Sequence, residues 1–175
     1  GTVPGLLNRF LTAYGSPNFI RTPSIQDNYE LALFLTQGVQ ALPGFDVSHS
    51  DFVLSFGSGL IEGWESPVYM IRSKSTLKQN GGRMEQIETR LSKTAAKSDK
   101  WIAVKPGTEG AMALGIANVI INEGLYHRDF VENYSAGFAE WKKLVMDGFS
   151  LSTVSKITGS EVATIAAVAR EFARA

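Results

Sequence analysis

Short apolar runs alternate with segments of helical periodicity through the middle of the chain. Residues 52–56 form a continuous apolar run that stops at glycine, which predicts a buried parallel strand. Residues 83–89 and 101–104 predict two further strands, and residues 67–79 and 111–122 have the apolar spacing of helices. This strand–helix alternation predicts an α/β fold: a Rossmann-like three-layer αβα domain with a mainly parallel sheet.

The two ends of the chain have a helical pattern. Apolar residues recur at helical spacing near the start, at Leu6, Leu7, Phe10, Leu11 and Tyr14, before a break at residues 15–17. A short strand is predicted at residues 18–21, followed by a helix that Asp27 or Asn28 caps and that Pro43 and Gly44 break. Near the other end, helices are predicted at residues 129–134, 138–146 and 161–174, with Ser160 as the N-cap of the last.

Length and charge narrow the possible functions. The 175 residues suit one domain, and 17 Lys and Arg residues balance 17 Asp and Glu residues, so nothing indicates a nucleic-acid partner. The absence of Cys excludes disulfides, thiolate zinc sites and iron–sulfur ligation within these residues. The sequence contains no signal peptide and no apolar run long enough for a membrane span. Because residue 1 is Gly, we expect a processed chain or a fragment.

A glycine-rich turn follows the first predicted strand. Gly57, Ser58 and Gly59 precede a predicted helix with Ser66 as N-cap and Pro67 at its first position. Open α/β sheets bind ligands where such a strand ends, although an ordinary strand-to-helix turn remains an alternative. The third glycine of the G-x-G-x-x-G fingerprint is missing, which argues against a free NAD-binding domain.

Polar loops follow the other two strands. Residues 88–90 are Glu-Thr-Arg, and residues 105–109 are Lys-Pro-Gly-Thr-Glu, directly before the helix of small residues. In a parallel sheet all three loops would lie at one edge. The N–H groups and the dipole at the start of that helix favour anionic ligands, although Glu109 could cap its own helix instead.

The order and spacing of residues 56–62, 87–96 and 104–114 resemble the molybdopterin oxidoreductases of the dimethyl-sulfoxide-reductase family. In that family the three loops are usually G-x-N-P, D-P-R and R/K-P-G-T-D, the last followed by a helix of small residues. Residues 122–131 and 157–162 are also typical of the family, so the resemblance covers nearly the whole chain.

The resemblance implies that residues 1–175 are a single αβα domain, a fragment of a larger multidomain subunit. The domain would bind the molybdopterin guanine dinucleotide cofactor of an oxidoreductase that takes part in the electron transfer of anaerobic respiration. The isolated fragment would be inactive, with no catalytic residue of its own. The implied cofactor-binding residues are Gly57, Ser58, Gly59, Glu62, Glu88, Thr89, Arg90, Pro106, Gly107, Thr108 and Glu109.

The sequence departs from the family pattern at three places. Gly59 and Leu60 replace the usual Asn-Pro, and Glu88-Thr89 replaces Asp-Pro. The expected metal ligand falls near Gln26, or on Asp27 if the register shifts, and a neutral amide is a poor ligand for molybdenum. Bound molybdenum or tungsten is therefore doubtful. The alternative is a metal-free structural subunit of a quinone-linked complex, such as a menaquinone-reductase-like complex, that keeps the fold.

The family also implies partners and a location. Expected partners are other domains of the same subunit, and iron–sulfur and membrane subunits of a respiratory complex, with any iron–sulfur cluster outside this fragment. A periplasmic position, or attachment to a membrane through partners, would follow. His49 and His127 have no partner at triad-like spacing, and we expect surface or capping roles for both.

Overall fold

The computed structural model describes residues 2–20 and 22–175, and the chain divides into two compact units, Gly1–Phe45 and Asp46–Ala175. The three strands and the layered core described below belong to the second unit. The prediction of one domain over residues 1–175 stays a prediction.

The first unit contains α1 (Thr2–Tyr14) and α2 (Ile25–Gln37). The α1 prediction is confirmed, and Gly15 ends the helix with a left-handed φ of +80°. The predicted strand at 18–21 is wrong for residues 18–20, which form no strand, and Arg21 lies outside the described residues.

The predicted ends of α2 need correction. Its N-cap is Ser24, and Asp27 instead completes a capping box, in which its Oδ2 accepts the Ser24 N–H at 2.7 Å. The helix ends at Gly38, which is left-handed and donates its N–H to the Phe34 carbonyl, well before Pro43. Local hydrogen bonding at both ends decided boundaries that the apolar pattern placed elsewhere.

The second unit is built on a parallel sheet in the order β1-β2-β3. The strands are β1 (Phe52–Phe56), β2 (Arg83–Glu88) and β3 (Lys100–Ala103). Between the strands lie α3 (Pro67–Gln79) and α4 (Lys93–Lys97), and α5 (Glu109–Asn122) follows β3. The predicted parallel arrangement is confirmed, with Phe52 opposite Arg83 and Glu85 opposite Lys100.

Alternate residues of the strands face two separate hydrophobic cores. Met84 of β2 packs with Met70 and Leu77 of α3 on one face. Ile87 of the same strand packs on the other face with α5 and the C-terminal helices, for example with Met112 and Ile165. Because side chains alternate along a strand, helices cover both faces, which confirms the predicted three layers.

Four helices complete the second unit: α6 (Arg128–Tyr134), α7 (Phe138–Gly148), α8 (Leu151–Thr158) and α9 (Val162–Arg174). The sequence pattern did not predict α8 as a separate helix. The predicted N-cap role of Ser160 is wrong: Glu161 is the N-cap of α9, and the Ser160 hydroxyl donates to the Ala103 carbonyl at 2.9 Å. Ser160 therefore joins the end of β3 to the start of α9.

In the part of the chain that the structure describes, no helix is both long and apolar enough to cross a membrane.

Candidate functional site

Three loops leave the sheet at the same edge, because the three strands are parallel. The first loop (residues 57–66) connects β1 to α3, the second loop (residues 89–92) connects β2 to α4, and the third loop (residues 104–108) connects β3 to α5. This edge is where open α/β sheets bind ligands.

The first loop begins with exposed backbone. Gly57 has a φ of +63°, and a Cβ atom added to it would meet no protein atom within 4 Å. Its N–H donates to the Ile87 carbonyl at 2.9 Å, which extends the pairing of β1 with β2. Further along, the Gly59 carbonyl accepts the N–H groups of residues 62, 63 and 64, so this part of the loop is a compact turn. The Gly57 backbone therefore faces open space at a fixed position.

The Glu62 carboxylate lies at the N-terminus of α4. Its Oε2 accepts the Thr94 hydroxyl at 3.3 Å and lies 3.5 Å from the Thr94 backbone nitrogen. Burial opposes ionisation, but the N–H groups of Thr94 and Lys93, the Ser92 side chain and the charge of Arg90 together outweigh it and hold the pKa of Glu62 below its ordinary value. The carboxylate is thus anionic at neutral pH and directed at the second loop's helix.

Glu88 is the last residue of β2, and its carboxylate makes most of its contacts within the protein. Its side chain is 12% exposed. Its Oε2 accepts the Ser92 hydroxyl at 2.5 Å and the Gln86 amide at 3.3 Å. Its Oε1 lies 3.8 Å from the Arg90 Nε, in a loose ion pair. One oxygen atom of Glu88 therefore remains for a ligand.

Thr89 and Arg90 extend from the second loop into solvent. The Arg90 side chain is 71% exposed, and its one described ion contact is the 3.8 Å approach to Glu88. An exposed guanidinium with so weak an internal partner can pair with a ligand phosphate.

The third loop presents the start of α5. Gly107 has a φ of +75°, and an added Cβ would again meet nothing within 4 Å. The Thr108 hydroxyl donates to the Lys105 carbonyl at 2.6 Å and so does not cap the helix. Among the described hydrogen bonds, no acceptor within the protein receives the N–H groups of Glu109, Gly110 and Ala111. These free donors, next to exposed Pro106 and Gly107, favour an anionic or strongly polar ligand.

The candidate metal-ligand positions lie in the first unit. Gln26 is exposed at the start of α2, and its amide is neutral. The Asp27 carboxylate is held by the Ser24 N–H of the capping box. Within residues 2–20 and 22–175, no three His, Asp or Glu side chains lie close enough to hold a metal ion.

The two histidines have the expected local roles. The His127 Nδ1 accepts the Phe130 N–H at 3.1 Å and caps α6. His49 is exposed and its Nδ1 contacts Asp46 at 2.8 Å.

Three buried polar residues in or next to the loops were not predicted from the sequence: Gln86, Ser92 and Thr94. Gln86 and Thr94 are fully buried, and both bond to the first loop. Ser92 caps α4 by accepting the Ala95 N–H and also donates to Glu88. A glutamine inside a buried strand was the signal that could have found the first of them.

Comparison with known proteins supplies the family. The family model for molybdopterin oxidoreductases matches residues 6–167. The molybdopterin-containing subunit ArrA of the arsenate respiratory reductase of Shewanella sp. (strain ANA-3) is 28% identical over 97% of this chain and 22% of that protein. The molybdopterin-binding-like subunit of the menaquinone reductase of Nitratidesulfovibrio vulgaris is 28% identical over 100% of this chain and 25% of that protein.

A solved structure has the same fold. Acetylene hydratase from Pelobacter acetylenicus superposes with a TM-score of 0.76 and 31% identity, over 95% of this chain and 22% of that one. The chain therefore spans about a quarter of the length of these relatives. The family implies a molybdopterin cofactor with molybdenum or tungsten, and the matched residues span most of the sequence. This chain belongs to the molybdopterin oxidoreductase family.

Proposed function

We propose that the Asp46–Ala175 unit binds the guanine dinucleotide arm of a molybdopterin cofactor, as one part of a larger redox subunit. The observation that carries this proposal is the start of α5, where three N–H groups that have no acceptor among the described residues adjoin a glycine with open space before it. Such donors suit phosphate and nucleobase oxygens.

The other loops fit the same ligand. Gly57, Ser58 and Gly59 would approach the dinucleotide through backbone groups, with no Cβ on the two glycines to obstruct it. Arg90 would pair with a phosphate, and Oε1 of Glu88 would accept a hydrogen bond from a ribose hydroxyl or the guanine edge. When bound, the cofactor supplies the redox chemistry, and this unit supplies position and charge.

Calorimetric titration of the chain with guanosine diphosphate and adenosine diphosphate tests the proposal. We expect guanosine diphosphate to bind more tightly. Arg90→Gln should weaken that binding by roughly tenfold, because it removes a charge-assisted hydrogen bond of about 1.5 kcal/mol. Arg72→Gln is the matched control, since Arg72 is also exposed but lies on α3.

Equal affinity for the two nucleotides would contradict the guanine assignment. An Arg90→Gln chain that binds like the Arg72→Gln chain would remove the second loop from the proposed site.

A metal-free structural subunit of a quinone-linked electron-transfer complex is the second candidate. It is favoured by the donor chemistry at the expected ligand position, where Gln26 is a neutral amide and the Asp27 carboxylate is engaged in a helix cap. Neither residue offers the free anionic side chain that suits molybdenum or tungsten in this family.

Elemental analysis of the longest natural form of the protein, purified from its own source, separates the two candidates. The second candidate predicts little molybdenum or tungsten, with no change in Gln26→Ala or Asp27→Ala variants. Stoichiometric metal that disappears in Asp27→Ala would show instead an occupied metal site in which Asp27 is the protein ligand. Stoichiometric metal retained in both variants would indicate a metal that needs no protein ligand here.

For the parent protein we propose respiratory electron transfer together with other domains and with iron–sulfur and membrane subunits. The support is that two similar proteins are named as subunits of respiratory or quinone reductases. A periplasmic or membrane-associated location is part of the same proposal.

A further inference from the structure

Two buried side chains, Gln86 and Thr94, connect the first loop to the structure below it. The Gln86 Nε2 donates to the Ser58 carbonyl at 3.1 Å and to the Glu88 Oε2 at 3.3 Å. Both neighbours only accept hydrogen bonds when Glu88 is ionised, so the amide must present its NH₂ group to them. Gln86 thereby ties the first loop to the carboxylate that precedes the second loop.

Thr94 makes the second connection. Its hydroxyl oxygen accepts the Ile61 N–H at 3.2 Å and donates to the Glu62 Oε2 at 3.3 Å. Thr94 is fully buried, so the hydroxyl end of both bonds is shielded from solvent, although Glu62 itself is exposed. Together with Gln86, it fixes both the start and the middle of the first loop.

The structure of the rest of the first loop explains why these two connections matter. Residues 59–64 form a turn with its own internal hydrogen bonds, because three N–H groups donate to the Gly59 carbonyl. That turn is attached to the unit by the buried Leu60 side chain, by the partly buried side chains of Ile61 and Trp64, and by the two polar connections. Burial of Leu60 is not directional, whereas hydrogen bonds set orientation.

We infer that Gln86 and Thr94 are positioning residues of the cofactor site. Together they hold the first loop in the position from which the backbone of Gly57, Ser58 and Gly59 would contact the dinucleotide. We call the hydrogen bonds that Gln86 and Thr94 make to the first loop the clamp. Glu62 belongs to the clamp because it accepts the Thr94 hydroxyl. The inference rests on the proposed function, because it assigns these residues to the binding of that same ligand.

Thr94→Val tests the clamp, since valine keeps the shape of threonine and removes both hydrogen bonds. We expect hydrogen exchange of the amides of residues 61–64 to accelerate at least tenfold relative to β2. The Kd for guanosine diphosphate should rise roughly three- to tenfold, because the two lost hydrogen bonds no longer orient the loop. Thr94→Ser keeps the hydroxyl and should restore both values.

Thr158→Val is the matched structural control. Thr158 is also buried, and its hydroxyl donates to the Val154 carbonyl at 2.8 Å and accepts the Ser160 N–H at 3.2 Å, so that neither bond involves the first loop. Its loss should lower the unfolding midpoint without selective exchange in the first loop.

Gln86→Glu gives an independent readout. An ionised glutamate would face two acceptors, so nucleotide binding should weaken more at pH 7 than at pH 5, where protonation returns one donor. Gln86→Met, which cannot titrate, should show no such additional pH dependence. A Gln86→Glu chain with the pH profile of Gln86→Met would contradict the inference.

Unchanged loop exchange in Thr94→Val, or faster exchange with unchanged affinity for guanosine diphosphate, overturns the positioning role while the proposed function stands. If the wild-type chain binds no guanosine diphosphate, the proposed function fails, and the positioning role fails with it even where exchange shows that the clamp is real.

Discussion

Glu85 and Gln86 are adjacent in β2, yet they face opposite sides of the sheet, and among the described residues only the NH₂ group of Gln86 has hydrogen-bond partners. Gln86 uses its amide to hold the first loop. Glu85 is fully buried, and no donor within hydrogen-bond distance reaches either carboxylate oxygen among the described residues. Its nearest cation is the Arg83 guanidinium at 3.6 Å, which also pairs with Glu171 at 2.9 Å. A charge at Glu85 is therefore poorly compensated.

Glu85→Gln should stabilise the fold at neutral pH. Burial raises the pKa of Glu85, with Lys100 and Arg83 opposing the shift and Glu171 adding to it. A raised pKa in the folded state means that the stability present below the unfolded pKa of about 4.3 is lost as the pH rises through the folded pKa. Chemical denaturation of the wild type should show this loss, with a slope of at most about 1.4 kcal/mol per pH unit.

The Glu85→Gln chain should lack that part of the slope. Glu132→Gln, an exposed substitution on α6, should leave the slope as it is in the wild type. A wild-type stability that only rises between pH 4.5 and 7, with Glu85→Gln parallel to it, would contradict the assignment.

At the scale of elements, apolar patterning predicted the strands and the long helices well. β1 and α3 have the predicted bounds, because each is an apolar run or stripe with a glycine or proline at its limits. The predicted starts of α2 and α9 were wrong, since capping depends on which hydrogen-bond partner the side chain meets: Asp27 accepts the Ser24 N–H, and the Ser160 hydroxyl donates to the Ala103 carbonyl. Contacts between distant residues are not encoded in periodicity.

The same distinction applies to the site. The loop order and the helix of small residues predicted that the three loops share one edge of the sheet and pointed to the correct family. The buried supports Gln86 and Thr94 were missed because their partners, Ser58 and Ile61, lie about thirty residues away in sequence. Only the fold brings them together.

Gly115→Ala should loosen the packing of α5 on α8. An added Cβ would lie 2.7 Å from Cγ1 of Val154, a stiff β-branched side chain that is itself fully buried. The cost of overpacking is roughly 1–3 kcal/mol, and it should exceed the gain of about 1 kcal/mol from the higher helix propensity of alanine. The free energy of unfolding should therefore fall.

Gly148→Ala is the control within α7, because its Cβ would meet nothing within 4 Å and the helix gain should act alone. Adding Val154→Ala to Gly115→Ala should recover part of the lost packing and give a non-additive cycle. A Gly115→Ala chain as stable as the wild type would show that α8 moves to accommodate the added methyl group without any loss in the free energy of unfolding.

At the scale of the whole molecule, the first unit has apolar faces without a described cover. None of the residues of α1 and α2 is buried, and Leu6 and Phe10 on α1 are 63% and 61% exposed. Apolar faces of this kind on two neighbouring helices usually mark an interaction surface. The relatives extend well beyond the matched region, and we propose that such additional chain covers these helices in the parent protein.

The 175-residue chain should therefore self-associate as its concentration rises, and multi-angle light scattering would show the average mass increasing. Leu6→Glu with Phe10→Lys should reduce this association, because the pair removes two exposed apolar side chains, keeps the net charge at zero and adds a favourable i, i+4 ion pair to α1. Asn8→Glu with Thr12→Lys places the same charges on exposed polar positions of that helix and should leave the mass unchanged. A wild-type chain that stays monomeric at every concentration, or equal masses for the two variants, would mean that the α1 face does not mediate association.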